Sequence, residues 1–309
     1  MRTIDRGNVL VTGGAGFIGS HVVETLLHDG WQVSVVDDLS GGDRANLPGG
    51  VSLVVHDIAD PALMAVFVAG AFDAVIHCAA QTSVPRSVAD PAFDRHVNLV
   101  GTENVLACAK ASGVGRIVFF SSGGAIYGDM DVQADEMALP APLSPYGVHK
   151  LAAESYVALS GLSHAILRPA NVYGPRQRAG TDGGVIATFV DRLSRGETLH
   201  INGDGAQVRD FVYVADVASA VRSALSWNAS GIWNVASGVE TTVNDLARHV
   251  GGALGVTPTL AYGPARAGDV RISRLLNARI TRQGLWRSEY TLAQGLAAMV
   301  AARTAGVSA

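Results

Sequence analysis

The chain has 309 residues, of which 48% are hydrophobic and 16% charged, and a formal net charge of −4. This length suits one large or two modest domains, and the apolar fraction can build a sizeable core. The acidic balance and the lack of a basic run argue against nucleic acid as the main partner. No stretch resembles a membrane span or a secretory leader, so we expect a soluble cytoplasmic protein with no membrane partner.

Strand and helix patterns alternate through the first half of the chain. Apolar residues predict strands at 8–11, 32–36, 52–55, 74–77 and 116–120. Helical spacing lies between them, most clearly at 17–28 and about 98–111. Short apolar strands separated by helices indicate a parallel sheet covered on both faces. Right-handed crossovers then make it an α/β, doubly wound, Rossmann-type fold.

The pattern loosens after Pro169. An amphipathic helix is predicted at 185–194, a strand at 199–201, and a strand-to-helix unit at 212–225 that returns to the first domain. We therefore expect a Rossmann domain formed by 1–168 and about 211–237. A smaller α+β lobe for the substrate would be formed by about 169–210 and 238–309.

A glycine-rich turn, TGGAGFIG at 12–19, joins the first predicted strand to the first helix. Glycines permit a tight turn and a close approach of the backbone to a pyrophosphate. The start of the helix adds free N–H groups and the positive end of its dipole. This strand–turn–helix context predicts a dinucleotide site that includes Gly13, Gly16, Phe17, Ile18 and Gly19.

Acidic residues follow the second and third strands. Asp37 comes 21 residues after Gly16, where a carboxylate can accept hydrogen bonds from both adenosine ribose hydroxyls and would repel a 2′-phosphate. The next arginine is Arg44, seven residues later, so the sequence favours NAD over NADP. Asp57 fits two interpretations equally, an acceptor for the adenine amino group and a cap before the helix near Pro61.

The segment SPYGVHK at 144–150 places Tyr146 and Lys150 four residues apart at a predicted helix start, on one helix face. An ammonium beside a phenol stabilises the phenolate, so we expect the pKa of Tyr146 to fall below its usual value of ~10. Such a tyrosine can take a proton from a sugar or alcohol hydroxyl. The same spacing also occurs in surface helices, so the pair gains weight only beside the cofactor motifs.

Together these motifs resemble the extended short-chain dehydrogenase/reductase family, and within it the nucleotide-sugar 4-epimerase group that acts on UDP-glucose or UDP-glucuronate. The resemblance runs nearly end to end. It rests on TGGAGFIGS (12–20), VDDLS (36–40), HCAAQ (77–81), SSGGAIYG (121–128), the Tyr146/Lys150 pair, RPANVYGP (168–175), RDFVYV (209–214) and RAGDV (266–270).

The resemblance implies NAD as cofactor, a UDP-sugar as substrate and a homodimer built on helices near 99–111 and 146–160. Tyr146 would be the catalytic base and acid, and Lys150 would hold the nicotinamide ribose. The cofactor residues it implies are those of the glycine turn together with Asp37, Asp38, Leu39, Ser40, Asp57, Ile58, Ala79, Ala80, Asn98, Tyr146, Lys150 and Pro169. The substrate residues it implies are Ser83, Arg86, Ser122, Tyr146, Asn171, Arg178, Val185, Ile201, Arg209, Arg266 and Asp269.

One position departs from the family pattern. The family usually places a serine or threonine four residues before the tyrosine that matches Tyr127, and this chain has Gly123 there. We expect Ser122 to supply the catalytic hydroxyl, with Ser121 or a water as alternatives. Both serines fit equally a role in ending the fifth strand. Dehydratases and decarboxylases of the family carry acids just after this hydroxyl, which this chain lacks, so reversible oxidation with hydride return is favoured.

The sequence therefore predicts an NAD-dependent UDP-sugar 4-epimerase acting through a transient 4-keto sugar. The group resemblance favours the neutral pair (UDP-glucose/UDP-galactose), whereas Arg86 and Arg178 fit a sugar carboxylate or a solvated loop equally. Both pairs therefore stay open, with acceptance of the uronate pair (UDP-glucuronate/UDP-galacturonate) slightly preferred. The alternatives are a 4-reductase or dehydrogenase of the same family and a non-catalytic NAD-binding regulator. The histidines show no metal spacing, so no metal is expected.

Overall fold

The computed structural model describes residues 7–130, 132–180, 184–227, 229–265 and 270–306. The strands are β1 (Asn8–Thr12), β2 (Gln32–Asp37), β3 (Ser52–Val55), β4 (Ala74–His77), β5 (Arg116–Phe120), β6 (Ser163–Pro169), β7 (Asn171–Tyr173), β8 (Leu199–Asn202), β9 (Val208–Tyr213), β10 (Gly231–Val235), β11 (Glu240–Thr242), β12 (Leu260–Gly263) and β13 (Ile272–Ser273). The α-helices are α1 (Phe17–His28), α2 (Leu63–Gly70), α3 (Val84–Ala89), α4 (Pro91–Arg95), α5 (Gly101–Ala111), α6 (Gly123–Ile126), α7 (Pro145–Leu159), α8 (Val185–Ser194), α9 (Val214–Ser226), α10 (Val243–Leu254), α11 (Ala278–Arg282) and α12 (Leu292–Thr304).

Seven parallel strands form the main sheet in the order β10-β6-β5-β4-β1-β2-β3. Side chains of β1 alternate between its faces, as the pleat requires. Val9 and Val11 pack with α1 and α9, whereas Leu10 packs with α2, α5 and α7 on the other face. Helices thus cover both faces, and the predicted doubly wound α/β fold is confirmed.

The elements that border the cofactor motifs match the sequence prediction closely. Helix α1 begins and ends at the predicted residues, and β3, β4 and β5 also keep their predicted bounds. The predicted helix at about 98–111 differs, because a π-helical turn, His96–Val100, precedes α5. The Asn98 side chain bonds both the N–H and the C=O of Gln81, at 3.1 and 2.9 Å, which fixes this wider turn.

A smaller α+β region follows the main sheet. Strand β9 pairs with β7, β11 and β13, and β8 pairs with β12. Helices α8, α10 and α12 pack with these strands around a separate apolar cluster. Helix α9 and strand β10 return to the main sheet. We propose that the boundary between the two units follows this change of sheet. The first unit would then be formed by 1–168 and about 211–237, and the second by about 169–210 and 238–309, as predicted from the sequence.

Candidate active site

A cleft of about 890 Å³ lies at the carboxyl ends of the main-sheet strands, facing the smaller region. Open α/β sheets bind their ligands at this edge. The predicted cofactor residues on its wall are Phe17, Ile18, Ala80, Tyr146, Lys150 and Pro169. The predicted substrate residues on its wall are Ser122, Tyr146, Asn171, Val185, Ile201 and Arg209. The fold therefore brings members of both predicted groups to one cavity, while the others lie off its wall.

The glycine turn leaves no room for side chains at two of its positions. Gly13 has a φ of +67°, and a Cβ there would lie 2.6 Å from the backbone nitrogen of Ala79. A Cβ on Gly19 would lie 2.1 Å from the carbonyl oxygen of Gly13. Helix α1 starts after Gly16 with no side-chain cap and no acid in its first turn. Its first N–H groups thus suit a bound pyrophosphate.

Gly19→Ala is expected to weaken NAD binding, because the new methyl must displace the Gly13 carbonyl and so the turn. Overpacking of this kind typically costs about 1–3 kcal/mol, which corresponds to roughly tenfold to hundredfold in affinity. Titration of NAD into the cofactor-stripped protein measures this loss. Gly41→Ala is the matched control, since its Cβ would meet no atom within 4 Å. Equal affinities in the two variants would contradict the role given to the turn.

Asp37 holds the glycine turn against the loop that follows β2. Its carboxylate accepts from the N–H of Ala15 and from the N–H of Leu39, both at 2.9 Å, and the residue is only 6% exposed. Burial raises the pKa of Asp37. Asp38 accepts from the N–H and the hydroxyl of Ser40 at 2.9 and 2.7 Å. Each Asp37 oxygen keeps a lone pair for a ribose hydroxyl, so the residue fits its predicted place beside the adenosine.

The residues after β3 make local contacts. Asp57 accepts from the N–H of Ala59 at 2.8 Å in a local turn. The capping interpretation of Asp57 is wrong, because α2 starts after Ala62 and has no side-chain cap bond. The side chain of Ile58 is buried beneath α5, and its carbonyl accepts from the Asn104 amide at 2.8 Å. Any contact of Asp57 with the adenine stays a prediction.

The pair Tyr146 and Lys150 lies on the first turns of α7. Ser144 caps this helix by accepting from the N–H of Gly147 at 3.2 Å, and Pro145 occupies its first position. Tyr146 is 8% exposed and Lys150 is 3% exposed, yet both reach the cleft. A Cβ on Gly147 would lie 2.5 Å from the carbonyl oxygen of Ala125, so α7 packs closely on α6.

The predicted fall in the pKa of Tyr146 is wrong for the protein without a cofactor, in which this pKa is raised. Burial raises the pKa of Tyr146 to about 12, a hydrogen bond with Ser122 lowers it, and Asp94 raises it. Burial also lowers the pKa of Lys150 to about 8, and its ammonium lies 4.4 Å from the Phe119 ring centroid. Desolvation is the largest cause of both shifts. A further positive charge, such as the nicotinamide ring of NAD+, would lower the pKa of Tyr146 and favour the phenolate.

Ser122, rather than position 123, presents a hydroxyl to Tyr146. Ser122 hydrogen-bonds to the phenol and makes no side-chain cap bond to α6. A Cβ on Gly123 would lie 2.3 Å from the Leu275 side chain, so that position points into the core. The alternative, Ser121, also lines the cleft, and its hydroxyl is buried without a hydrogen-bond partner among the described residues.

The two arginines predicted to meet a sugar carboxylate do not line the cleft. Arg86 is exposed, and its guanidinium lies 3.9 Å from the centroid of the Phe93 ring. Arg178 is exposed on the loop after β7. Ser83 caps α3 by accepting from the N–H of Arg86 at 3.2 Å. Arg266 and Asp269 lie outside the residues that the structure describes.

The diphosphate residues predicted in the smaller region lie beside each other. Asn171 donates to the backbone carbonyl of Asp210 at 3.1 Å, and Arg209 donates to that of Val208 at 2.9 Å. Both side chains are half-buried at the cleft. Their amide and guanidinium suit phosphate oxygens.

The polar cleft residues that sequence reasoning missed include Gln177, His200, Asn202 and Gln207. The Gln207 amide donates to the Asn202 carbonyl at 3.0 Å, and its buried Oε1 has no described partner. Gln177 follows β7, His200 and Asn202 belong to β8, and Gln207 precedes β9. Only their polar character on or beside these short strands could have indicated them.

Sequence reasoning also missed a buried series of hydrogen-bonded side chains behind the cleft. Thr12 and Thr102 contact opposite nitrogens of His77 at 2.7 and 3.0 Å, and Thr102 donates to the Asn98 carbonyl at 2.8 Å. Burial and Lys150 lower the pKa of His77 to about 3, so the ring is neutral. Thr12 then donates to Nδ1 while Nε2–H donates to Thr102. This hydrogen-bonded series connects the glycine turn to the π-helical turn.

Two further searches covered the described ranges. No group of three or more His, Cys, Asp or Glu side chains there could hold a metal ion. None of the helices in these ranges is long and apolar enough to cross a membrane.

The glycine turn, the acid at the end of β2 and the buried Tyr–Lys pair on one helix define a dinucleotide-binding protein of the extended short-chain dehydrogenase/reductase type. The family model of the NAD dependent epimerase/dehydratase family matches residues 9–236, and the chain belongs to this family. NAD is therefore its cofactor, as predicted.

The similarity extends over nearly the whole chain. A UDP-glucose 4-epimerase of Mycolicibacterium smegmatis is 40% identical over 94% of this chain and 96% of its own length. The crystal structure of a Thermus thermophilus UDP-glucose 4-epimerase in complex with NAD is 40% identical, with a TM-score of 0.91, and covers 95% of this chain and 98% of its own. A Thermotoga maritima UDP-glucose 4-epimerase with UDP-glucose is also 40% identical, with a TM-score of 0.94, and covers 97% and 99%.

Proposed function

We propose that the protein is an NAD-dependent UDP-sugar 4-epimerase and that UDP-glucose and UDP-galactose are its main substrate pair. The observation that carries this proposal is an acid–base group, Tyr146 with its Ser122 partner, facing a cleft in which the adjacent Gly124 and Ala125 supply no acid. Similarity to UDP-glucose 4-epimerases at 40% identity supports it.

In this proposal Tyr146 removes the proton of the sugar 4-hydroxyl and later returns it. Bound NAD supplies the acceptor, and then the donor, of the hydride at C4. Ser122 orients the sugar oxygen, and Lys150 holds the cofactor ribose. The 4-keto sugar turns about its diphosphate linkage while Asn171 and Arg209 hold the phosphates. Small residues beside Tyr146 favour this rotation: a Cβ on Gly124 would have no neighbour closer than 3.9 Å.

The uronate pair is the second candidate. Arg178 follows Gln177, a cleft residue, on the same loop. A closer approach of this arginine would place a charge-assisted donor beside a sugar carboxylate. The positions of Arg86 and Arg178 outside the cleft wall make us favour the neutral sugar.

The test is to incubate the purified holoprotein with UDP-glucose and with UDP-glucuronate separately, without added NAD(H), and to analyse the products by chromatography. Formation of a 4-epimer over many turnovers supports the proposal, and the better substrate identifies the sugar class. One product per bound cofactor would instead indicate a reductase or dehydrogenase. No reaction with either sugar would contradict the proposal.

NAD affinity is expected to depend on pH through Lys150. Its pKa is about 8 in the protein alone, and ribose hydroxyls that accept from the ammonium would raise it in the complex. Binding then takes up a proton above pH 8. Affinity should be flat below about pH 8 and fall by up to about tenfold per pH unit above it. NAD titrations from pH 6.5 to 10 measure this slope.

Lys150→Arg is the control for this titration, because guanidinium keeps its charge throughout the range. Its NAD affinity should vary little with pH. A wild-type affinity that is constant up to pH 10 would contradict the role of Lys150.

We also propose a homodimer packed through α5 and α7. The exposed side chains of Tyr156 and Leu159 at the end of α7, at 49% and 86%, suit such a contact. Light scattering of the holoprotein tests it, and a monomeric mass would contradict it.

A further inference from the structure

A fully buried carboxylate, Asp94, lies beside the catalytic helix with every contact made by side chains. Its Oδ1 accepts from the amides of Gln81 and Asn98 at 2.6 and 2.9 Å. Its Oδ2 accepts from Nδ1–H of His149 at 2.6 Å. Asp94 is 0% exposed, Asn98 1% and Gln81 8%. A buried carboxylate with three donors is a strongly held junction.

This junction joins the elements that build the active site. Gln81 lies in the loop after β4, whose Ala80 lines the cleft, and Asn98 lies in the π-helical turn. His149 lies on α7, directly before Lys150. Both α4 and the π-helical turn pack against α7. Asn98 also connects the junction, through Thr102 and His77, to the glycine turn at Thr12.

The Asp94 charge acts on both residues of the catalytic pair. It raises the pKa of Tyr146 and that of Lys150. The other groups that face the pair are Ser122 from α6, which bonds the phenol, Cys78 from the loop after β4, and His77 and Glu154, which face Lys150. The carboxylates in this set are Asp94 and Glu154, and of the two only the charge of Asp94 bears on the pKa of Tyr146.

We propose that Asp94 and His149 are a positioning pair for the epimerase reaction: their bond sets the first turn of α7, and with it Tyr146 and Lys150, against the loop after β4. This inference rests on the proposed function. Neither residue lines the cleft. The hydrogen bond between Asp94 and His149 joins residues 55 apart in the chain and fixes the angle of α7. A change of this angle would shift the Tyr146 hydroxyl away from the atom with which it exchanges a proton.

Asp94→Asn tests the pair with little change of shape. The new amide oxygen accepts from Gln81 and Asn98, and its NH2 donates to Nδ1 of His149 once that ring carries its proton on Nε2. The arrangement of the three hydrogen bonds is kept, whereas the negative charge at position 94 is lost and the hydrogen bond to His149 becomes weaker. Asp90→Asn is the matched control, because Asp90 is an exposed N-cap on the same helix, and asparagine caps equally well.

For Asp94→Asn we expect kcat to fall by about tenfold to hundredfold while KM changes less than about twofold, since only the transition-state geometry is affected. Asp90→Asn should keep wild-type kcat. A second readout is the ultraviolet titration of Tyr146, taken as the difference from the same protein carrying Tyr146→Phe. Removing the buried anion should move this titration to lower pH by about half a unit or more.

Wild-type kcat together with an unmoved Tyr146 titration in Asp94→Asn would overturn the proposal. If Asp94→Asn does not fold, His149→Gln decides, since it removes the ring donor at a half-buried position; a normal kcat there would also overturn it. The phenol titration needs no substrate. If the wild-type protein epimerises neither sugar, the proposed function fails, and the titration still decides the electrostatic link between Asp94 and Tyr146.

Discussion

Tyr146→Phe is expected to lower kcat for UDP-sugar epimerisation by about 10²- to 10⁴-fold, the usual contribution of a positioned acid–base group. The phenyl ring fills the same space, so the fold and the bound NAD should persist. Only the hydroxyl that exchanges a proton with the sugar, and that bonds Ser122, is lost. Because substrate binding does not need this proton transfer, KM should change little.

Chromatographic rates at saturating UDP-sugar, with NAD content measured after denaturation, test this expectation. Tyr262→Phe is the matched control, since Tyr262 on β12 is 55% exposed, lies on neither helix of the proposed dimer contact and does not line the cleft. It should retain wild-type kcat. An active Tyr146→Phe enzyme would refute the assigned base, and a variant that had lost its NAD would show that the hydroxyl serves the fold instead.

Glu154→Ala is expected to lower the free energy of unfolding by about 3–5 kcal/mol, because it leaves a buried arginine unpaired. Arg168 donates from Nε and Nη2 to the two carboxylate oxygens at 2.8 and 2.6 Å, and both side chains are 4% exposed. Arg168 also donates to the Tyr127 hydroxyl at 2.7 Å, and Tyr127 donates to Asn234 at 2.9 Å. One carboxylate thus supports a network that connects α7, β6 and β10.

Urea unfolding at a fixed NAD concentration measures this loss, because bound cofactor adds to stability. Arg248→Ala is the control: its partner is Asp245, and the two side chains are 71% and 41% exposed. Exposed pairs contribute about 0–1 kcal/mol, so this variant should unfold nearly as the wild type does. Equal losses in the two variants would show that burial does not govern the strength of the Glu154 pair.

The sequence predicted much of the candidate site because its signals are local. A glycine turn between a strand and a helix, an acid at a strand end, and a tyrosine four residues before a lysine each depend on a few consecutive residues. Their positions at the carboxyl ends of parallel strands follow from the handedness of the crossovers. Residues on the smaller region were harder to predict, because short strands such as β8 carry little periodic signal.

The alternation of apolar strands and helices, the glycine turn and Asp37 determined the fold class and the cofactor, since backbone geometry and strand order follow from local pattern. Only the tertiary structure decided which serine meets the phenol, because Leu275 fills the space beside Gly123. It also decided that Arg86 lies on Phe93 and that Asp94 joins His149. The direction of the Tyr146 pKa shift depended on burial as well. Side-chain direction and desolvation are set by neighbours distant in the chain, and no local pattern contains them.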